Sequence, residues 1–127
     1  MDAMSYEFLI RRAYHCGRHG AKGKADTRDY HELERAVRQC NSPETSTKSK
    51  EELEYDVRVA GTKVALGVED AIKKAMAEVK YDADAKEEIK ILEELIKKVS
   101  LQRDIKVINE VIEEAMNIFI KLKLEAI

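Results

Sequence analysis

Near the end of the chain, Leu101, Ile105, Ile108, Ile112, Ala115, Phe119 and Leu122 follow one another at alternating steps of four and three residues. That period places all seven side chains on one stripe of an α-helix, whereas a strand would send neighbouring positions to opposite faces. Val107, Val111 and Ile118 widen the stripe, so this helix is expected to touch more than one neighbour. Ser100 stands where an N-cap belongs, since a serine hydroxyl can accept from a first-turn N–H. Upstream, Ile89, Leu92, Leu95, Ile96 and Val99 make a shorter helix, and Asp84 precedes Glu87 by the three residues of a capping box. Neither Gly nor Pro interrupts the chain at Ser100, which leaves a very tight turn or a kinked continuation.

A longer helix comes before these two. Ser49 and Glu52 have capping-box spacing, and apolar positions continue through Leu53, Val57, Ala60, Val64, Val68, Ala71, Ala75 and Val79. About thirty residues at helical rise reach roughly 45 Å. The stripe is built of small residues: Ala60, Gly61, Val64, Gly67, Ala71 and Ala75. Small side chains let a neighbouring backbone come close, and that packing offsets the helix cost of each glycine, about 1 kcal/mol relative to alanine. The single proline, Pro43, sits in a polar connector, Asn41–Ser49, and no segment alternates as a strand would. The outer residues Glu87, Glu88, Lys90, Glu93, Glu94, Lys97 and Lys98 read as a solvated surface, with i,i+4 pairs such as Glu93–Lys97 and Glu94–Lys98.

Charge divides the chain unevenly. Six of its eight arginines and all three histidines lie within the first forty residues, and Arg11–Arg28 carries six basic side chains against one acid, Asp26. Residues 1–49 are net +2 and residues 50–127 net −4 within a total of −2. The expected fold is therefore all-α: a basic helix-turn-helix arm over residues 1–48, then an antiparallel helical bundle over residues 49–127. At 127 residues the chain is long enough to bury a core as one domain. Two cysteines make no disulfide framework, no apolar run is long enough to span a membrane, and the acid-first N-terminus inverts a secretory signal. A cytoplasmic place of synthesis is expected. The 38 % charged content with two Gln and three Asn leans towards a thermophile.

Within the arm, Tyr6, Leu9, Ile10, Ala13 and Cys16 share one arc of a helix over roughly residues 6–16, with Arg11, Arg12 and His15 opposite. A second helix, roughly residues 28–40, groups Tyr30, Leu33, Val37 and Cys40 on one stripe and Arg28, His31, Arg35 and Arg38 on another. Asp29, Glu32 and Glu34 lie between the stripes and dilute the field. Gly17, Gly20 and Gly23 mark a turn that carries Arg18, Lys22 and Lys24 as phosphate donors. Together Arg11, Arg12, His15, Arg18, Lys22, Lys24, Arg28, His31, Arg35 and Arg38 form the candidate nucleic-acid-binding set. Guanidinium forks match phosphate oxygens, which is why arginines carry the inference.

Other chemistries fit less well. A Walker-type loop fails because Gly17 and Gly23 are one residue too far apart and Ala25 replaces the hydroxyl. A zinc site would draw on Cys16, His19, His31 and Cys40, but the second pair is nine residues apart, without a tight knuckle. A di-metal carboxylate bundle needs histidines on later helices, and none follows His31. No cofactor is expected.

Two resemblances bear on function. Arg12–His19 fits the longest spacing of the Arg-x4-6-His motif and so resembles helical-bundle ribonucleases of the HEPN type. That resemblance would imply a guanidinium steadying the scissile phosphate and an imidazole in proton transfer. In its order of parts, a basic glycine-hinged arm and then an Ala/Ile/Leu-rich bundle, the whole chain resembles the α-helical coat proteins of filamentous archaeal viruses. That resemblance implies that Arg11, Arg12, Arg18, Lys22, Lys24, Arg28, Arg35 and Arg38 contact the phosphates of double-stranded DNA. It also implies subunits that pack through apolar helix faces, a related second subunit type among them, and a place in a virion. The expected function is a non-enzymatic nucleic-acid coat, with a HEPN-like ribonuclease or a protein-interaction subunit as alternatives.

Overall fold

In the computed structural model, residues 6–10, 28–45 and 47–122 are described, and every regular element among them is a helix. Residues 6–10 are helical. Four longer helices follow: α1 (Arg28–Asn41), α2 (Lys50–Val79), α3 (Lys86–Val99) and α4 (Ile105–Lys121). Single 3-10 turns at Pro43–Thr45 and Ala83–Ala85 join α1 to α2 and α2 to α3.

The start of α2 follows from its first residues. Ser49 is extended, at φ −69° and ψ 163°, and its Oγ accepts from the backbone N–H of Glu52 at 3.2 Å. The same hydroxyl donates to Glu52 Oε1 at 3.4 Å, a side-chain contact in place of the reciprocal bond that a full capping box draws from the N-cap backbone N–H. The helix then runs thirty residues and buries Ala60, Gly61, Val64, Ala71 and Ala75. Helices α1, α3 and α4 all pack on it. One continuous core joins Tyr6, Leu9 and Ile10 to Tyr30 and Leu33 of α1, and to Leu92, Leu95 and Val99 of α3. Ile108, Ile112, Ala115 and Phe119 complete it from α4, each fully buried. Each large apolar side chain buried this way contributes about 1.5–3 kcal/mol before its ordering entropy.

Helix α4 has the several neighbours that its wide stripe predicts. Val111 and Ile118 are buried beside the main stripe, and the Tyr30 hydroxyl of α1 donates to Asn109 Oδ1 at 2.7 Å. The Tyr30 ring in turn lies 5.9 Å from that of Tyr6, tilted by 33°. Across the other side, Lys98 meets Glu110 at 3.2 Å and Lys121 meets Glu88 at 3.1 Å, so α3 and α4 form a hairpin.

The turn of that hairpin differs from the sequence reading. Ser100 does not start α4; it ends α3, its N–H donating to the carbonyl of Ile96. Leu101 follows at φ 56°, the left-handed conformation usually reserved for glycine, and is 72 % exposed rather than part of the buried stripe. Asp104 caps α4 instead, accepting from Lys106 N–H at 2.9 Å. A carboxylate one residue before the helix outcompetes a serine four residues further back. Asp84 does not cap α3 either: Ala85 stands at that N-cap without a side-chain bond, and Asp82 caps the preceding 3-10 turn, accepting from Asp84 N–H at 2.9 Å. The surface ion pairs also change register: Lys97 pairs with Glu94, and Lys98 reaches across to Glu110.

Glu88 is a further departure. It is 7 % exposed rather than solvated, and its Oε2 has no hydrogen-bond partner among the described residues. Its own backbone N–H, in the first turn of α3, and then the Lys121 ammonium hold the carboxyl below its ordinary value, while desolvation pushes the other way. A lowered folded pKa means the unfolded chain binds the proton first. The stabilisation is therefore present above about pH 4.5, the group's ordinary value, and is lost as pH falls through the lower folded value. Glu88→Gln should melt below the wild type at neutral pH, and the gap should close as thermal melts are run at successively more acid pH.

Two backbone positions can be tested directly. A Cβ on Gly61 would stand 2.8 Å from the carbonyl oxygen of Arg103 and 3.1 Å from its Cα. Gly61→Ala should therefore destabilise by about 1–3 kcal/mol in urea unfolding, even though alanine is the better helix former. Leu101→Gly should do the opposite and raise stability by about 0.5–1 kcal/mol, because it relieves a left-handed side chain that packs on little.

Candidate polyanion-binding surface

Helix α1 is positioned by its apolar side. Tyr30, Leu33 and Ala36 are buried against the core, and Val37 and Cys40 are half-buried beside them. Asp29 in the first turn and Arg38 in the last complement the helix dipole. With that side fixed, Arg28, His31, Arg35 and Arg38 are all exposed. These are the four described members of the ten-residue set; Arg11, Arg12, His15, Arg18, Lys22 and Lys24 lie outside the described residues.

The field on this face is only partly neutralised by its own acids. His31 Nδ1 lies 3.1 Å from Glu34, and Glu32 lies 3.9 Å from Lys63 of α2. Arg35 and Arg38 make no ion pair among the described residues. Exposed guanidinium groups without carboxylate partners can exchange water and counterions for phosphate oxygens.

The other arrangements weighed from sequence fall largely elsewhere. Cys16 and His19 of the four-residue zinc set, Arg12 and His19 of the ribonuclease-like pair, and the glycine turn itself all lie outside the described residues. Cys40 is a half-buried free thiol, and His31 is taken up with Glu34.

Beside Arg35 a depression of about 360 Å³ opens between α1 and α2. Glu32, Arg35, Ala36 and Gln39 line one wall; Tyr55, Asp56, Val59, Ala60 and Lys63 line the other, with Lys48 at the end. Lys48 and Asp56 close on each other at 2.6 Å, an exposed contact that raises the Lys48 pKa and removes both charges from the balance. A second depression of about 520 Å³ shares Tyr55, Val59 and Lys63 and adds Arg58, Thr62 and Arg103. Sequence reasoning passed over Tyr55, Arg58 and Arg103. Tyr55, Arg58 and Thr62 repeat at steps of three and four, so their common face was legible; Arg103 arrives from the α3–α4 turn and carried no such signal.

Among the described residues no helix is long and apolar enough to cross a membrane. No family model matches the chain, and no curated protein or solved structure does.

Proposed function

We propose that this protein is a non-enzymatic, self-assembling nucleic-acid coat that binds double-stranded DNA independently of sequence, in the manner of filamentous archaeal virus coat subunits. The observation that carries the reading is the two-sidedness of α1. Tyr30, Leu33 and Ala36 are committed to the core while Arg28, His31, Arg35 and Arg38 face outward. In this reading residues 1–48 act as the basic arm and Arg11, Arg12, His15, Arg18, Lys22 and Lys24 extend the same phosphate track. Residues 49–127 form the packing module, and the exposed apolar side chains Leu66, Ile91 and Ile120 are available to neighbouring subunits.

The mechanism is electrostatic. Each cation that settles on a phosphate releases a condensed counterion, so affinity depends on salt rather than on base sequence. Binding of a random-sequence duplex, followed by fluorescence anisotropy across a salt series, tests this. If about six to eight cations contact phosphate, the logarithm of affinity falls with the logarithm of salt at roughly −0.9 per contact, and Arg35→Ala with Arg38→Ala makes the slope shallower by about two. Affinity that does not change with salt would overturn the reading.

A further inference from the structure

Arg58 and Arg103 are the two arginines that lie beyond the first forty residues, and the fold brings them to one depression. Lys63 joins them there, with Tyr55, Val59 and Thr62 as the remaining lining. No carboxylate lines it among the described residues, although acids outnumber bases in residues 50–127. Lys63 has only the loose 3.9 Å contact with Glu32, and neither arginine makes an ion pair among the described residues. Three cations gathered with that one loose counter-charge repel one another, and an anion relieves the repulsion.

The position of Arg103 is built rather than incidental. Leu101 turns the chain through its left-handed φ of 56°. Gln102 Oε1 then accepts from the N–H groups of both Arg103 and Asp104, at 3.1 and 3.2 Å. The bare Cα of Gly61 lets the Arg103 backbone settle onto α2. A side chain at position 61 would lift the turn and carry the guanidinium away from Arg58.

The site also has an aromatic, apolar side. Tyr55 is 60 % exposed, and Val59 lies one turn along the same face. A phenol ring beside guanidinium groups suits a ligand that joins a flat base to a phosphate. At about 520 Å³ the depression falls within the roughly 300–1,000 Å³ of small-molecule sites.

We propose that this depression binds a nucleotide with an unpaired base, its phosphate held by Arg58, Arg103 and Lys63 and its base stacked on Tyr55 against Val59. The ligand is either one unit of a single strand or a free mononucleotide; a duplex keeps its base faces stacked inside and cannot offer one to Tyr55. The site is thus distinct in its residues and its ligand from the duplex-phosphate track of α1.

The test compares wild type, Tyr55→Ala and the double variant Arg58→Ser, Arg103→Ser, with circular dichroism to establish that helicity is kept. The probes are a fluorescein-labelled oligothymidylate strand, the same strand annealed to its complement, and a fluorescent mononucleotide. Base stacking should make Tyr55→Ala bind the single strand about fivefold or more weakly while duplex affinity stays within about twofold. The arginine double variant should lose single-strand affinity by about tenfold or more, as expected for two charge-assisted phosphate contacts. A mononucleotide bound as tightly as the strand identifies the free nucleotide as ligand, and binding of the strand alone identifies single-stranded nucleic acid. A Tyr55→Ala protein of native helicity whose single-strand affinity falls by less than about fivefold overturns the proposal. Salt-independent or absent duplex binding, with Tyr55-dependent binding of strand or mononucleotide intact, would instead remove the coat reading and leave this site standing.

Discussion

Every other described helix leans on the small-residue face of α2 (Lys50–Val79). Helices α1, α3 and α4 all pack on it, and the α3–α4 turn settles against it at Gly61, with the Arg103 carbonyl where a side chain would otherwise be. At Gly67 the Tyr6 hydroxyl fills the corresponding space. Large side chains on α2 would hold its neighbours further out, and close packing is what gives dispersion and hydrophobic burial their strength. The partners supply Tyr30, Leu33, Leu92, Ile108, Ile112 and Phe119 to the core, and α2 adds Leu53 and Ile72 beside its small positions. The small positions on α2, Gly61 and Gly67 above all, are what allow its neighbours to come this close.

Charge plays a smaller part in holding the molecule together. The pairs Lys97–Glu94 and Lys98–Glu110 are exposed, and such pairs contribute about 0–1 kcal/mol each. Glu88 with Lys121 differs because the carboxylate side of the pair is buried, so its protonation is tied to folding. The arginines are used otherwise. Arg35, Arg38, Arg58 and Arg103 are exposed and make no ion pair among the described residues. Charges left uncommitted by the fold are the ones open to an external anion, which is why both functional proposals rest on arginine rather than on the more numerous lysines and glutamates.

Several local features were legible because their causes are local. Helical period alone locates α2 and the buried stripe of α4, and the Ser49–Glu52 pair marks the start of α2 to the residue. The split of α1 into an apolar stripe of Tyr30 and Leu33 and a basic one of Arg28, His31, Arg35 and Arg38 was equally readable. Capping before α3 and α4 was misread because each start offers several candidate oxygens: Asp82 beside Asp84, and Asp104 beyond Ser100. Spacing does not choose among them; the path of the preceding chain does. Leu101 was read as a core position because its step of four fits the stripe, yet it lies in the turn at a positive φ.

The sequence by itself determined the helical character of the described residues, their apolar stripes and the crowding of arginine into the first forty positions, because helix period and side-chain charge are properties of near neighbours. Tertiary structure alone decided that Glu88 would be buried beside Lys121 and that Tyr30 would reach Asn109. It alone brought Arg103 down on Gly61 to share a depression with Arg58 and Tyr55. Those contacts join residues far apart along the chain, and their formation depends on how closely two backbones can approach, which no local pattern encodes.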